Sequence, residues 1–322
     1  MSSFPTFHDH VGHASQVAGL HQQLARGQLG HAYLFTGPAG VGKKHLALAL
    51  AGAVFCPRPA PDGGACGACK SCRQLASGNH PDLLHLQVEE GRTRISIDQV
   101  RDLIAFLQLT PTESRRKIGL IDEVTLMNEQ SANALLRTLE EPPGEALLFL
   151  VTERPGILLP TIRSRCQILH LAPLSAAEME AFVAGAVDEA QQVTARSFLA
   201  LAEGAPGRLR QWLEGDMAEL WARWNQDLDT VDAGNIGDLC LRAEFWSQPE
   251  RFSRTGEFLR MWLRKRIHAL LGKTCYADTV RIWLQGAFWS LQLWQRSSVF
   301  NLNRNLVMEC LFIHLARIKN HE

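Results

Sequence analysis

The chain has 322 residues, 46% hydrophobic and 20% charged, which is room for two or three domains and excludes a disordered or low-complexity protein. Its 33 basic and 33 acidic residues cancel, so it lacks the basic excess of a protein that grips nucleic acid alone; contact through a local basic face or within an assembly stays open. No run of about 18 apolar residues predicts a membrane span, and polar residues 1–10 hold no signal-peptide core, so a cytoplasmic protein with reduced thiols is expected.

In chain order, Ala32-Tyr33-Leu34-Phe35-Thr36 is a short apolar run ending at a glycine-rich turn and predicts a buried strand. Leu46, Ala49 and Leu50 then mark a helical face. Residues 83–86 predict a second strand. Val100, Leu103, Ile104 and Leu107 predict a helix over 97–109, and residues 117–121 a further buried strand. Ala132, Leu135, Leu136 and Leu139 repeat as one helix face, which Pro142-Pro143 ends. Residues 147–151 predict another strand. Apolar strands alternating with helices predict an α/β fold, a parallel sheet covered on both faces. From Ser175 onward only helical periodicity remains. All eight tryptophans follow residue 211, which predicts a separate helical domain with an aromatic core, some rings being available for partners.

Gly37-Pro38-Ala39-Gly40-Val41-Gly42-Lys43-Lys44 sits between a strand and a helix, the context of a Walker A phosphate loop. Gly37, Gly40 and Gly42 let backbone N–H groups wrap phosphate oxygens, and Lys43 can reach the β- and γ-phosphates. A chance glycine cluster is the competing reading; the flanking elements and the register of Lys43 argue against it. The last position departs from the motif. A Ser or Thr there gives its hydroxyl to Mg²⁺, whereas the Lys44 ammonium is a donor only. Held about 4 Å from the metal, it would also repel it by roughly 8 kcal/mol at an effective dielectric of about 20, unless the flexible side chain swings away. Asp122-Glu123 after the third strand is a Walker B pair, Asp122 to hold Mg²⁺ through water and Glu123 to polarise the attacking water. Phosphate binding can survive in such a site; hydrolysis is expected to be lost, and ATP binding is left open.

Cys56, Cys66, Cys69 and Cys72 form C-x₉-C-x₂-C-x₂-C in a Pro/Gly-rich insertion. Four thiolates suit a tetrahedral structural Zn²⁺ with no open position, the alternative being reduced or redox-active thiols. Cys240, Cys275 and Cys310 read as scattered buried thiols, and His8, His10 and His13 as surface histidines.

Together, His31-Ala32-Tyr33-Leu34-Phe35, the phosphate loop, the four cysteines, Gly78-Asn79-His80-Pro81-Asp82, residues 133–143 (NALLRTLEEPP) and Arg163-Ser164-Arg165-Cys166 are similar to the delta-prime family of bacterial DNA polymerase III clamp-loader subunits, relatives of the AAA+ ATPases. The likeness covers roughly residues 1–210. It implies an AAA+ module with the zinc insertion (1–170, cysteines within 56–72), a helical lid (171–212) and an all-α collar for oligomerisation (213–322). It further implies a non-hydrolysing stator of the polymerase III holoenzyme, partnered by gamma/tau motor subunits, the delta subunit, a sliding clamp and primed DNA. Arg165, in the Ser-Arg-Cys motif, would act in trans on ATP bound to a neighbour. Thr152 would be the first sensor. The arginine that motor subunits place at the second sensor aligns with Gly207, Arg208 following. The rivals are an active gamma/tau-like motor ATPase, which needs Ser or Thr at 44 and Arg at 207, and a zinc-containing DNA-binding protein outside the clamp loader.

Overall fold

Five strands form one wholly parallel sheet: β1 (Ala32–Thr36), β2 (Leu83–Leu86), β3 (Ile118–Ile121), β4 (Leu147–Thr152) and β5 (Gln167–His170), in the order β2-β3-β4-β1-β5. The protein is described here from a computed structural model covering residues 4–61, 63–89, 91–231, 234–271 and 277–319. Helices α1 (Ala14–Ala25), α2 (Lys43–Phe55), α3 (Lys70–Ala76), α4 (Ile97–Gln108), α5 (Glu129–Glu140) and α6 (Pro160–Arg163) alternate with the strands. Side chains alternate across the pleat, so Tyr33, Phe35, Phe149 and Val151 enter one core with α1 and α2. Leu34, Leu148, Leu150 and Ile121 enter the other with α4 and α5. Two cores explain why β1, β3 and β4 are continuous apolar runs. β5 is an edge strand, largely exposed, with only Ile168 and Leu169 apolar. It gave no such run and was not among the predicted elements.

Register sets the site. Thr36 pairs with Thr152, and Ile121 with Leu150, so the carboxyl ends of β1, β4 and β3 lie side by side. The phosphate loop, Thr152 and Asp122-Glu123 leave from those ends, the usual ligand edge of an open parallel sheet.

Helices α7 (Ala176–Ala186), α8 (Glu189–Ala202) and α9 (Pro206–Leu213) follow. The chain divides into two compact units, Met1–Gln211 and Trp212–Glu322. The second holds α10 (Met217–Thr230), α11 (Ile236–Ser247), α12 (Pro249–Leu271), α13 (Ala277–Val299) and α14 (Arg304–Lys319). Its core is aromatic, as expected: Trp224, Trp246 and Trp283 are fully buried, and Trp224 meets Trp246 edge-on at 5.0 Å. The Trp246 indole N–H donates to Asp227 at 2.8 Å. Leu284, Phe288 and Trp289 of α13 are exposed. The expectation of buried thiols is corrected for Cys240, which is exposed, and for Cys310, which is half-buried; Cys275 lies outside the described residues.

Candidate nucleotide site and cysteine cluster

The phosphate loop folds as its glycines dictate. Gly37, Gly40 and Gly42 have φ of 143°, 75° and 100°, a region closed to most side chains. A Cβ on Gly40 would sit 2.8 Å from the Arg208 backbone nitrogen, and the Gly207 N–H donates to the Gly40 carbonyl at 2.8 Å. The start of α9 is thus seated on the loop. Beside it opens a cavity of about 530 Å³, lined by loop residues, Asp122, Glu123 and Glu153, and by His10, Phe182 and Arg210.

Each polar group of the motif already has an internal partner. Lys43, 6% exposed, donates to the carbonyls of Gly37 at 2.8 Å and Pro38 at 2.7 Å. Burial lowers its pKa, against the pull of Glu153, Glu123 and Asp122. Lys44 has not swung away: its ammonium lies 3.0 Å from Asp122 Oδ2. His85, 3.9 Å off, and Lys44 together hold the Asp122 carboxyl down to about 2. The Thr152 hydroxyl donates to Glu123 Oε1 at 2.9 Å, the Thr125 hydroxyl donates to the same oxygen, and the Glu153 N–H donates to Oε2 at 3.2 Å. Glu123 holds a left-handed backbone, φ 57°, while making these bonds. The Mg²⁺ that a phosphate-loop fold implies does not fit this donor set. One hydroxyl ligand is absent, and the Asp122 carboxylate faces a fixed cation.

Two features of the cavity were not read from sequence. Arg210 projects from α9 one turn beyond Gly207 and lines the cavity, with its guanidinium 5.7 Å from the Phe182 ring. The histidines also need correction: His8 is exposed as expected, but His10 and His13 are not surface groups. His13 Nε2 donates to the Ala172 carbonyl at 2.8 Å. A carbonyl only accepts, so His13 carries a proton on Nε2, which leaves its Nδ1 to accept from His10 Nε2, 3.2 Å away. His10 Nδ1 then accepts from His45 Nδ1 at 3.3 Å. One carbonyl fixes three tautomers in sequence. Burial, then the neighbouring His45 and His13, lower the His10 pKa to about 3, and burial lowers that of His45. The sequence signal was faint: His10 and His13 are three apart, but His45 joins them only through the fold.

At the far end of α2 lie the cysteines. The four sulfurs all fall within 4.8 Å of one another, with Cys56–Cys69 at 4.0 Å and Cys66–Cys72 at 3.9 Å. A tetrahedron with metal–sulfur bonds of about 2.3 Å has edges of about 3.8 Å, so the cluster fits a metal ion such as zinc. Backbone amides of Ala68 and Cys69 bring the Cys66 thiol down to about 6, while burial and Cys69 push Cys72 up to about 12.

The Gly78-to-Asp82 motif ties this module to the sheet. His80 accepts from the Asp82 N–H at Nδ1, so its Nε2 donates to Ser71 Oγ at 2.7 Å, and its ring stacks on Phe55 at 4.2 Å. Asp82 is fully buried. Burial would raise its pKa, but the amides of Thr112, Glu113 and Ser114, with Lys117 at 3.1 Å, hold it far below the carboxylate range.

A family model described as DNA polymerase III, delta subunit, matches residues 12–175, just over half of the chain. The chain belongs to this family. It is 45% identical over 193 residues to the DNA polymerase III subunit delta' of Pseudomonas aeruginosa, a match covering 59% of this chain and 58% of that one. Against subunit delta' of Escherichia coli the identity is 34% over 194 residues, 60% of this chain and 57% of the relative. With subunit tau of Escherichia coli it is 36% over 209 residues, 65% of this chain and 32% of the relative. The matched stretch thus spans little more than half of these relatives at most. A gamma subunit-related protein of Thermotoga maritima shares the fold, with a TM-score of 0.54 at 18% identity, covering 94% of this chain and 99% of that one. The delta-prime resemblance and the AAA+ fold read from the motifs are borne out.

Within that family frame, the structure gathers Gly40, Gly42, Lys43, Lys44, Asp122 and Glu123 around one cavity, with Gly37 and Thr152 bonded to its edge. Arg165 does not line that cavity. Its guanidinium pairs with Glu140 at 2.7 Å and donates to the Thr161 carbonyl at 3.0 Å, at the end of α6.

Proposed function

We propose that the chain is the non-hydrolysing delta-prime stator of a clamp loader. The observation that carries this reading is the Lys44–Asp122 ion pair, which puts a protein cation against the carboxylate that a hydrolysing relative would offer to Mg²⁺. The bonds to Glu123 support it, since a carboxylate accepting from Thr125, Thr152 and Glu153 is not oriented on an attacking water. In this reading Arg165 leaves Glu140 to meet ATP bound by a gamma or tau neighbour, and the helices from 213 onward are the collar. The delta subunit, the sliding clamp and primed DNA are met as part of that assembly, in the cytoplasm. Among the described residues no helix is long and apolar enough to cross a membrane. Cys56, Cys66, Cys69 and Cys72 would hold a structural Zn²⁺.

The similarity to tau favours a second reading, an active motor ATPase. Lys44 and Gly207 stand where that reading needs a hydroxyl and an arginine. Two measurements separate them. The isolated chain should show negligible Mg²⁺-dependent ATPase; robust turnover would establish the motor instead. In a complex reconstituted with motor subunits, Arg165→Ala should leave assembly intact and slow hydrolysis at the neighbouring site, an arginine finger being worth about 10³-fold or more. Unchanged hydrolysis in that complex would remove the trans role.

A further inference from the structure

We propose that the cavity binds a nucleoside diphosphate as the metal-free anion, with the Lys44 ammonium in the place of Mg²⁺, and discriminates against the triphosphate. The proposal rests on the site being non-hydrolysing but not on any trans role for Arg165.

Donor capacity comes first. An ammonium has three N–H donors. Lys43 spends two on Gly37 and Pro38, and Lys44 spends one on Asp122. Both therefore keep donors for phosphate oxygens while holding their present partners. Lys44 can then bridge Asp122 and a phosphate as a metal would, with half the charge and no need of the missing hydroxyl. The loop amides at the start of the 13-residue α2 add donors that need no metal.

Charge decides how many phosphates fit. Lys43, Lys44 and Arg210 face Asp122, Glu123 and Glu153 in the cavity, with Asp9 at its wall, so there is no positive surplus. His10 and His45 add none, since burial keeps both neutral near pH 7. A γ-phosphate would approach Glu123, whose carboxylate is hydrogen-bonded but not paired with a cation among its described bonds. With no divalent ion between them, that repulsion falls on the triphosphate and spares the diphosphate.

Apolar walls argue for a nucleoside over bare pyrophosphate. Val11, Phe182 and Pro206 line the same cavity, and its volume is that of a small-ligand site. The stacked His10 and His45 rings, centroids 5.5 Å apart, add a flat face.

Calorimetric titration of the full chain with ADP, ATP and pyrophosphate, each in EDTA and in excess Mg²⁺, tests this. ADP affinity should change by less than about threefold between EDTA and Mg²⁺, and ATP and pyrophosphate should each bind about tenfold or more weakly than ADP in EDTA. Lys44→Thr should make ADP binding Mg²⁺-dependent by about tenfold or more. No ADP binding, a requirement for Mg²⁺ in the wild-type chain, or ATP or pyrophosphate binding as well as ADP would overturn the proposal. The wild-type titrations decide it even where Lys44→Thr does not fold. A chain that binds no ADP, yet whose Arg165→Ala variant slows the reconstituted complex, would overturn this proposal and leave the stator reading standing.

Discussion

Helix α2 runs roughly 20 Å and carries a different site at each end, the phosphate loop before Lys43 and the first cysteine after Phe55. The cysteine end has a full set of donors for a metal ion, four sulfurs of one kind at tetrahedral spacing. The phosphate end has lost one donor for its ion and filled the space with a lysine. The contrast bears on what an ion at each end would do for the fold. The small module around Cys56, Ala65, Cys69 and Cys72 has almost no other core, so a metal held by these cysteines would carry much of its folding. The phosphate loop is built into the main core through Val41 and Leu46 and closes on its own carbonyls, so it stands without metal.

The largest effect is expected at the cysteines. Cys69→Ser with Cys72→Ser should abolish zinc binding, worth about 10 kcal/mol or more in structural sites, and open residues 57–68 to proteolysis. Elemental analysis and limited digestion read this directly; zinc retained by the double variant would break the contrast. Next is the clamp that joins the module to the sheet. Asp82→Asn leaves Lys117 buried without its counter-charge and should cost about 3–5 kcal/mol, seen as a lower thermal midpoint. A loss below about 1 kcal/mol would mean that the Asp82–Lys117 pair does little to hold the segment in place.

The phosphate end should respond to acid. His10 stays neutral in the folded protein down to about pH 3, while the unfolded chain takes up its proton near 6.5. The stability present above pH 6.5 is therefore lost as pH falls from about 6.5 towards 3, by about 1.4 kcal/mol per pH unit for this residue, with His45 adding in the same direction. Urea midpoints across that window should fall less steeply for His10→Gln; equal slopes would show that the imidazole chain is not what titrates. The smallest effect is that of Lys44→Thr on stability. Its pair with Asp122 is partly exposed on both sides and screened by water, so the change should stay within about 1 kcal/mol. A larger loss in chemical unfolding would make the lysine a structural staple of the phosphate loop.

Local features were legible in the sequence because their physics is local. β1, β3 and β4 are apolar on both faces, and the four cysteines sit close enough in sequence to share an ion. The loop glycines encode positive φ directly. Edge strand β5 escaped because one bare face gives no apolar run. The Gly78-to-Asp82 segment was visible as a motif, but its work in joining Ser71, Phe55 and Lys117 was not.

By itself, then, the sequence determined the parallel sheet, the helical second half, the cysteine cluster and the missing hydroxyl at position 44. Tertiary structure alone decided where the Lys44 ammonium rests, that Glu123 is bound by Thr125 and Thr152, that Arg210 lines the cavity, and that His10 and His13 meet His45. The reason is reach. Residue type fixes what a side chain can donate or accept, but Lys44 and Asp122 are 78 positions apart, and only the carboxyl ends of β1 and β3, on either side of β4, bring them within 3.0 Å.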